Sequence, residues 1–322
     1  MTYKPFTPNL KKIRELQFLI LCEWILHSVN GVLENVKIII SDSVKDVTSM
    51  KFTKMTGTGN DFIVLDDRKG ELIGKEAKLT QKLCDRHFSI GADGILFVRE
   101  SNTKAHIQMV IINADGSYAS MCGNGIRCFA KYVWEKGIVK ENPMIIETGD
   151  GLKEAFLEIE DNKVKYITIN MGEPIFEGKK ISNREEKIIN KAIKENNKDY
   201  LITSFHMGVP HTIIFGKLDE YDIEEGKTIE KLSLFKEGTN VNFCEIVDKN
   251  KIKVKTWERG AGPTLACGTG SCASAIASNL LGYTEKSTEV ILPGGKLFIE
   301  IKKEGVFMKG PADICFRGEI DV

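Results

Sequence analysis

The sequence predicts an α+β protein with two related, sheet-rich halves, each carrying one small-residue helix buried in its sheet. Three observations point there. The segments Cys122-Gly123-Asn124-Gly125 and Cys267-Gly268-Thr269-Gly270 share the pattern Cys-Gly-x-Gly, and each opens an apolar-periodic run. Ile126, Phe129, Ala130, Val133 and Trp134 in one run, and Ala273, Ile276, Ala277, Leu280 and Leu281 in the other, recur at the spacing of a single helix face. The two segments also align without a gap as far as Gly137 and Gly282, and the same register pairs Asn113 with Glu258 and Gly149 with Gly294. Strands and helices, finally, do not alternate as βαβ units, which argues against a doubly wound sheet.

Taken in order, residues 1–49 differ in texture from the rest and are expected to lie outside the fold as an extension, with Met50 as the natural start. Leu16 to Leu26 is apolar behind Lys11, Lys12 and Arg14, but Glu23 interrupts it and no small-residue cleavage pattern follows. The first half, 50–166, begins with a strand over Lys51 to Thr56, the turn Gly57-Thr58-Gly59-Asn60-Asp61 and a strand over Phe62 to Leu65. A charged helix follows over Lys75 to His87, then strands at Ile95–Val98 and Ile107–Ile112 that lead into the first thiol helix. Strands at Met144–Glu147, Ala155–Ile159 and Tyr166–Ile169 close this half. The polar run Ser182 to Lys198 reads as an exposed helix. In the second half, 167–311, Gly208 to Phe215 stands where Gly59 to Val64 stood, and Gly238 to Phe243 where Gly91 to Leu96 stood. Lys251 to Thr256 is then the strand entering the second thiol helix, and strands with glycine turns complete the chain.

Composition bounds the function. Forty-five basic and forty-five acidic residues cancel, so the chain lacks the net positive charge of a typical nucleic-acid binder. No stretch reaches the roughly 18 apolar residues of a membrane span. Eight scattered cysteines in a chain of 322 residues, with no CxxC pair and no metal-ligand spacing, fit neither a disulfide framework nor a metal site. A reducing cytoplasm is the expected location, and the oligomeric state stays open, with a homodimer as one option.

Cys122 and Cys267 are the candidate catalytic residues. A thiol has a reference pKa of about 8.5, and a helix N-terminus lowers it through its partial positive charge and free N–H groups. The same N–H groups hold anions, a substrate carboxylate among them. If the halves face each other, the carbon beside that carboxylate has a base on one side and an acid on the other. That arrangement inverts a stereocentre with no cofactor and no metal. Cys84, Cys128, Cys244, Cys272 and Cys315 are expected to be core packing. Arg127 is expected to be solvent-facing or structural, and His206 and His211 ordinary loop or core residues. Gly57-Thr58-Gly59 leads into a strand rather than a helix, which speaks against a nucleotide loop.

With these residues assembled, the chain resembles the diaminopimelate epimerase family. The resemblance rests on Met55-Thr56-Gly57-Thr58-Gly59-Asn60-Asp61-Phe62, Asn113-Ala114-Asp115-Gly116-Ser117, Met121-Cys122-Gly123-Asn124-Gly125-Ile126-Arg127-Cys128, Glu258-Arg259-Gly260-Ala261-Gly262 and Ala266-Cys267-Gly268-Thr269-Gly270, in family order. It implies two pseudo-symmetric halves, each a mixed β-sheet curled around a central α-helix, with the C-terminal strand 312–322 returning to the first half. It also implies interconversion of LL- and meso-2,6-diaminopimelate without pyridoxal phosphate, on the route to lysine and cell-wall peptide. The roles of acid and base then fall on Cys122 and Cys267, and backbone donors at Gly123, Asn124, Gly268 and Thr269 take the reacting carboxylate. Asn60, Asn113, Asn240, Glu258 and Arg259 match substrate-holding positions. The chemistry suits them: Arg259 pairs bidentately with a carboxylate, and Glu258 accepts from an ammonium. The chain departs from the family pattern at Val209, where asparagine is common, and at Pro263, where glutamate is frequent. A racemase of another amino acid, a thiol redox protein and a ligand-binding module are the competing readings. The redox reading has no need of Arg259, and the binding module has no need of both thiols.

Overall fold

The computed structural model describes residues 49–182 and 186–321, so the expected extension lies outside the described residues except for Ser49. The first half contributes β1 (Ser49–Gly57), β2 (Asn60–Asp66), β3 (Gly94–Arg99), β4 (Ile107–Asn113), β5 (Tyr118–Ala119), β6 (Met144–Thr148), β7 (Gly151–Glu160) and β8 (Lys163–Asn170). The rest contributes β9 (Ile188–Glu195), β10 (Lys198–Met207), β11 (Val209–Phe215), β12 (Asn240–Asp248), β13 (Lys251–Glu258), β14 (Gly262–Thr264), β15 (Ser287–Leu292), β16 (Gly295–Lys302), β17 (Gly305–Gly310) and β18 (Asp313–Asp321). The helices are α1 (Glu76–Leu83), α2 (Gly123–Glu135), α3 (Glu225–Glu230) and α4 (Gly268–Leu280).

The duplication read from the sequence reappears as one pairing scheme used twice. In the first half β1–β2 is antiparallel, β2–β3 parallel, β3–β4 antiparallel and β4–β6 parallel. Strands β10–β11, β11–β12, β12–β13 and β13–β15 repeat that order of directions. An antiparallel β8–β17 pair joins the two sets, and β1 also pairs with β18. The parallel steps within a mostly antiparallel sheet make this the mixed, curled α+β architecture expected.

Both central helices have 13 residues and lie inside their sheets. They are buried around the whole circumference rather than on one face. Small side chains permit this in α4, where Ser271, Ser274 and Ser278 are fully buried beside Ala273 and Ala275. Ser271 Oγ donates to Cys267 O at 2.8 Å and Ser278 Oγ to Ala275 O at 2.9 Å, returning two buried hydroxyls to their own helix. Both helices end at left-handed glycines, Gly137 at φ 71° and Gly282 at φ 76°. Leu280, expected on the apolar face, is exposed where α4 leaves the sheet.

Two elements differ from expectation. The helix expected over Ser182–Lys198 is strand β9 in its described part, antiparallel to β10. Asn196 and Asn197 take left-handed φ values of 48° and 61°, the two-residue turn that joins hairpin strands, and β9 covers the edge of β10. The helix expected over Lys75–His87 stops at Leu83, because the Asp85 carboxylate accepts from the N–H groups of His87 and Phe88 at 2.8 and 2.9 Å. Of the cysteines assigned to packing, Cys84, Cys128, Cys244 and Cys272 are buried and Cys315 is exposed.

A Cβ on Gly294 would lie 2.4 Å from the backbone oxygen of Thr58 and 3.1 Å from that of Leu265. Neither oxygen can swing aside as a flexible side chain would. Gly294→Ala is therefore expected to destabilise by about 1–3 kcal/mol, measured as a lower midpoint in urea unfolding with an unchanged slope.

Candidate active site

Each catalytic candidate is the N-cap of its helix. Cys122 sits at φ −141°, ψ 119° and Cys267 at φ −119°, ψ 114°, both extended, as a cap requires. Each Sγ accepts from the N–H of the third residue of its helix: Gly125 to Cys122 and Gly270 to Cys267, both at 3.4 Å. A thiol thus does what serine or aspartate ordinarily does at this position, and no acidic residue occupies either first turn.

The two helix ends meet. A Cβ on Gly123 would lie 3.7 Å from the Gly268 Cα, and one on Gly268 would lie 3.5 Å from Asn124 Oδ1. Met308 packs against both glycines. The Asn124 side chain crosses from one half to the other, donating to Asn60 Oδ1 at 2.5 Å and to Ala266 O, the residue before Cys267, at 3.3 Å.

These ends open into a cavity of about 1020 Å³. Its lining includes both thiols, the Gly123–Asn124 and Gly268–Thr269 helix ends, and Asn60, Asn113, Asn240, Glu258 and Arg259. The structure therefore brings all eleven sequence-predicted site residues to one chamber. Val209 and Pro263, the two departures from the family pattern, line it as well. A second hollow of about 690 Å³ at the β12–β13 turn, lined by residues such as Asp248, Lys251 and Phe298, has no cysteine or histidine in its lining.

The polar residues of the chamber are held by second partners. The backbone N–H of Arg259 donates to Asn240 Oδ1 at 2.8 Å, and its Nη1 donates to Glu237 O at 2.7 Å. Glu258 Oε1 accepts from Thr264 Oγ1 at 2.6 Å. Asn113 donates to Ser117 Oγ at 3.0 Å and Asn60 to Asp93 Oδ2 at 3.0 Å. Beneath Asn60, Asp61 bonds Arg86 at 2.6 Å and Lys54 at 2.6 Å. Burial pushes the Asp61 carboxyl up, but Arg86 and Lys54 outweigh it and hold it down at about 2. A carboxyl depressed below its unfolded value of 3.8 stabilises the fold fully above that pH and loses its contribution as pH falls through about 2. Asp61→Asn is expected to remove about 1–2 kcal/mol at pH 6 and to flatten the loss of stability between pH 4 and pH 2, read by urea unfolding at each pH.

The thiols depart from expectation in one respect. Their helix-end position predicts a lowered pKa, yet burial pushes both up, Cys267 the further. At Cys122 the N–H groups of Gly125 and Asn124 pull the other way, as does Arg127 more weakly, while Glu258 adds to the rise. At Cys267 Glu258 adds to burial, against Thr269 and Gly270. Glu258 lies beside Cys267, and burial raises its own pKa. Both thiols are accordingly protonated at neutral pH, and a bound ammonium would favour the thiolate.

His211 is fully buried and held neutral, its pKa pushed down to about 3 by burial, as a core histidine. Arg127 is not solvent-facing: it is 0 % exposed. Together with Thr58 it is part of the framework that sequence reasoning missed. The available signal was the repeat itself, in which Arg127 stands opposite Cys272 as the one charged residue near the start of either thiol helix.

The diaminopimelate epimerase sequence profile matches residues 52–177 and 203–315. Diaminopimelate epimerase of Clostridium perfringens is 58% identical over 270 residues, covering 84% of this chain and 98% of that protein. The enzyme of the same name from Caldanaerobacter subterraneus is 49% identical over 278 residues, covering 85% and 100%. Among solved structures, a hydroxyproline epimerase from Agrobacterium vitis with bound trans-4-hydroxy-L-proline superposes with a TM-score of 0.63 at 13% identity, covering 85% of this chain and 93% of that one. A PhzF-family phenazine biosynthesis protein from Bacillus anthracis gives 0.63 at 16% identity, covering 85% and 100%. At those identities the two structures establish a shared fold.

Proposed function

The chain belongs to the diaminopimelate epimerase family of isomerases, and from that premise we propose that it interconverts LL- and meso-2,6-diaminopimelate by a two-thiol proton transfer. The observation that carries this reading is the pair of N-capping thiols at abutting helix ends, opening on one chamber. A substrate carboxylate between the two ends accepts from the N–H groups of Gly123, Asn124, Gly268 and Thr269, and both helix dipoles favour it. One thiolate takes the α-proton while the opposite Sγ–H supplies its own to the other face, so the configuration inverts. Negative charge passes from sulfur to the α-carbon and carboxylate and back to the other sulfur. The helix ends stabilise it where it accumulates, without reorganising. These groups suffice for the proton transfer, so the reaction is expected to run without pyridoxal phosphate.

Glu258, in contact with Cys267, accepts that thiol's proton when Cys267 is to act as base. At the far end of the substrate, Arg259 receives the distal carboxylate, with Asn60, Asn113 and Asn240 around it. Val209 offers that end an apolar contact where the family commonly has an amide. The chemistry fits a cytoplasmic enzyme of lysine and cell-wall precursor synthesis, and among the described residues no helix is long and apolar enough to cross a membrane. The test is incubation of reduced protein with LL-diaminopimelate, then separately with L-proline and trans-4-hydroxy-L-proline, followed by chiral chromatography. Conversion of diaminopimelate alone is expected. Turnover of a proline substrate with diaminopimelate untouched would overturn the assignment.

A further inference from the structure

Arg127 is unusual for a buried cation. It is 0 % exposed, and among the described residues it forms no ion pair with a carboxylate. Its donors go to neutral acceptors: Nε to Pro311 O at 3.1 Å, Nη1 to Gly123 O at 3.1 Å and Asn124 Oδ1 at 3.0 Å, and Nη2 to Thr58 Oγ1 at 2.6 Å. Burying a guanidinium without an anion is costly, and placing it near the positive end of its own helix adds to the cost. Thr58 adds strain, being a β-branched residue in the left-handed region at φ 56°. Its hydroxyl is the acceptor that closes the guanidinium's network.

We propose that Arg127 is a positioning residue of this site: its fork fixes Asn124 between the two helix ends, and its uncompensated charge is the fixed cation against which Cys122 ionises. The proposal rests on the two-thiol reading. The charged and titratable groups facing Cys122 are Glu258 from β13, which opposes the thiolate, Arg127 from α2, which favours it, and the Cys128 thiol, also from α2, which burial pushes up to about 12; the N–H groups of Gly125 and Asn124 assist. Arg127 in turn faces Cys128, Cys122 and Cys272. A bound carboxylate and a thiolate are thus the anions that this charge has available.

The test reads Cys122 directly, without substrate. Alkylation by iodoacetamide is followed across pH by mass spectrometry of the Cys122 peptide in the wild type, Arg127→Met, Arg127→Lys, Thr58→Asp and Thr58→Asn. Thr58 lies outside the chamber lining, and aspartate and asparagine both tolerate its backbone, so the Thr58 pair differs chiefly in charge. Arg127→Met and Thr58→Asp are expected to raise the apparent pKa of Cys122 by about one unit or more, and Arg127→Lys and Thr58→Asn by much less. In turnover, Arg127→Met is expected to lower kcat about 100-fold with a smaller change in KM, and Arg127→Lys to lie between it and wild type. An Arg127→Met protein that folds, titrates as wild type and keeps its kcat would overturn the proposal. Should that variant fail to fold, equal Cys122 titrations in Thr58→Asp and Thr58→Asn would overturn it instead. Absence of diaminopimelate turnover in the wild type would defeat the substrate assignment alone, leaving the alkylation result to judge Arg127.

Discussion

Replacing either Cys122 or Cys267 with alanine is expected to lower kcat for inversion by about 10³–10⁴-fold. The reason is geometric. Each sulfur caps a different helix, and the two helices enter from different halves of the sheet, so neither thiol has a neighbour able to take its place. Of the other described cysteines only Cys84 lines the chamber, and burial pushes its thiol up to about 12. Alanine fits where the thiol stood, so the fold should survive apart from one lost cap contact, worth about 1 kcal/mol. Serine at either position would keep the cap while offering a far weaker acid, and should recover little activity. The measurement is the rate of meso formation from LL-diaminopimelate, with circular dichroism and thermal unfolding as controls for folding. Full inversion in either alanine variant would contradict the two-thiol account.

Arg259→Lys is expected to lower kcat/KM for diaminopimelate by about 100-fold, mostly through KM. Arg259 is held at two points, its backbone N–H by Asn240 Oδ1 and its guanidinium Nη1 by Glu237 O, which leaves the rest of the fork pre-oriented for a carboxylate. Lysine keeps the charge but offers a single point contact on a flexible stem, and it loses the Glu237 anchor. Steady-state kinetics of the two proteins decides it. Unchanged kinetics would place the distal carboxylate elsewhere in the chamber.

Much of this site was legible in the chain because the features that position it are local. A Cys-Gly-x-Gly pattern ahead of a helical period fixes a cap, and two copies in one register fix a pseudo-symmetric pair. The strands β4 and β13 each reach their helix through one short strand folded back on them, β5 and β14, so Asn113 and Glu258 end near the thiols. What escaped was decided by tertiary contacts. Strand β9 is polar and charge-rich, with only part of its length buried, and it becomes a strand because β10 presents an unpaired edge; the Asn196-Asn197 turn was the one local clue. The thiols' raised pKa values reflect packing by both halves, which outweighs the helix ends that the sequence does reveal. Arg127 is expected from sequence to be solvent-facing or structural, and what buries it, Thr58 and Pro311 beside the neighbouring Asn124, comes from parts of the chain remote in sequence. Gly294 likewise owes its identity to the Thr58 backbone across the fold.

The central claim is that two monoprotic acids act on opposite faces of one carbon, and hydrogen isotope bookkeeping tests it most directly. LL-diaminopimelate is incubated with reduced protein in D2O, and the first few per cent of reaction are followed by NMR. A thiol that has taken a proton can return only that same proton, whereas the opposing thiol carries deuterium from solvent. Deuterium should therefore appear at the inverted α-carbon of the meso product while unreacted LL substrate stays protiated. Deuterium entering the LL substrate as fast as inversion occurs, or protium carried through into the product, would contradict the account.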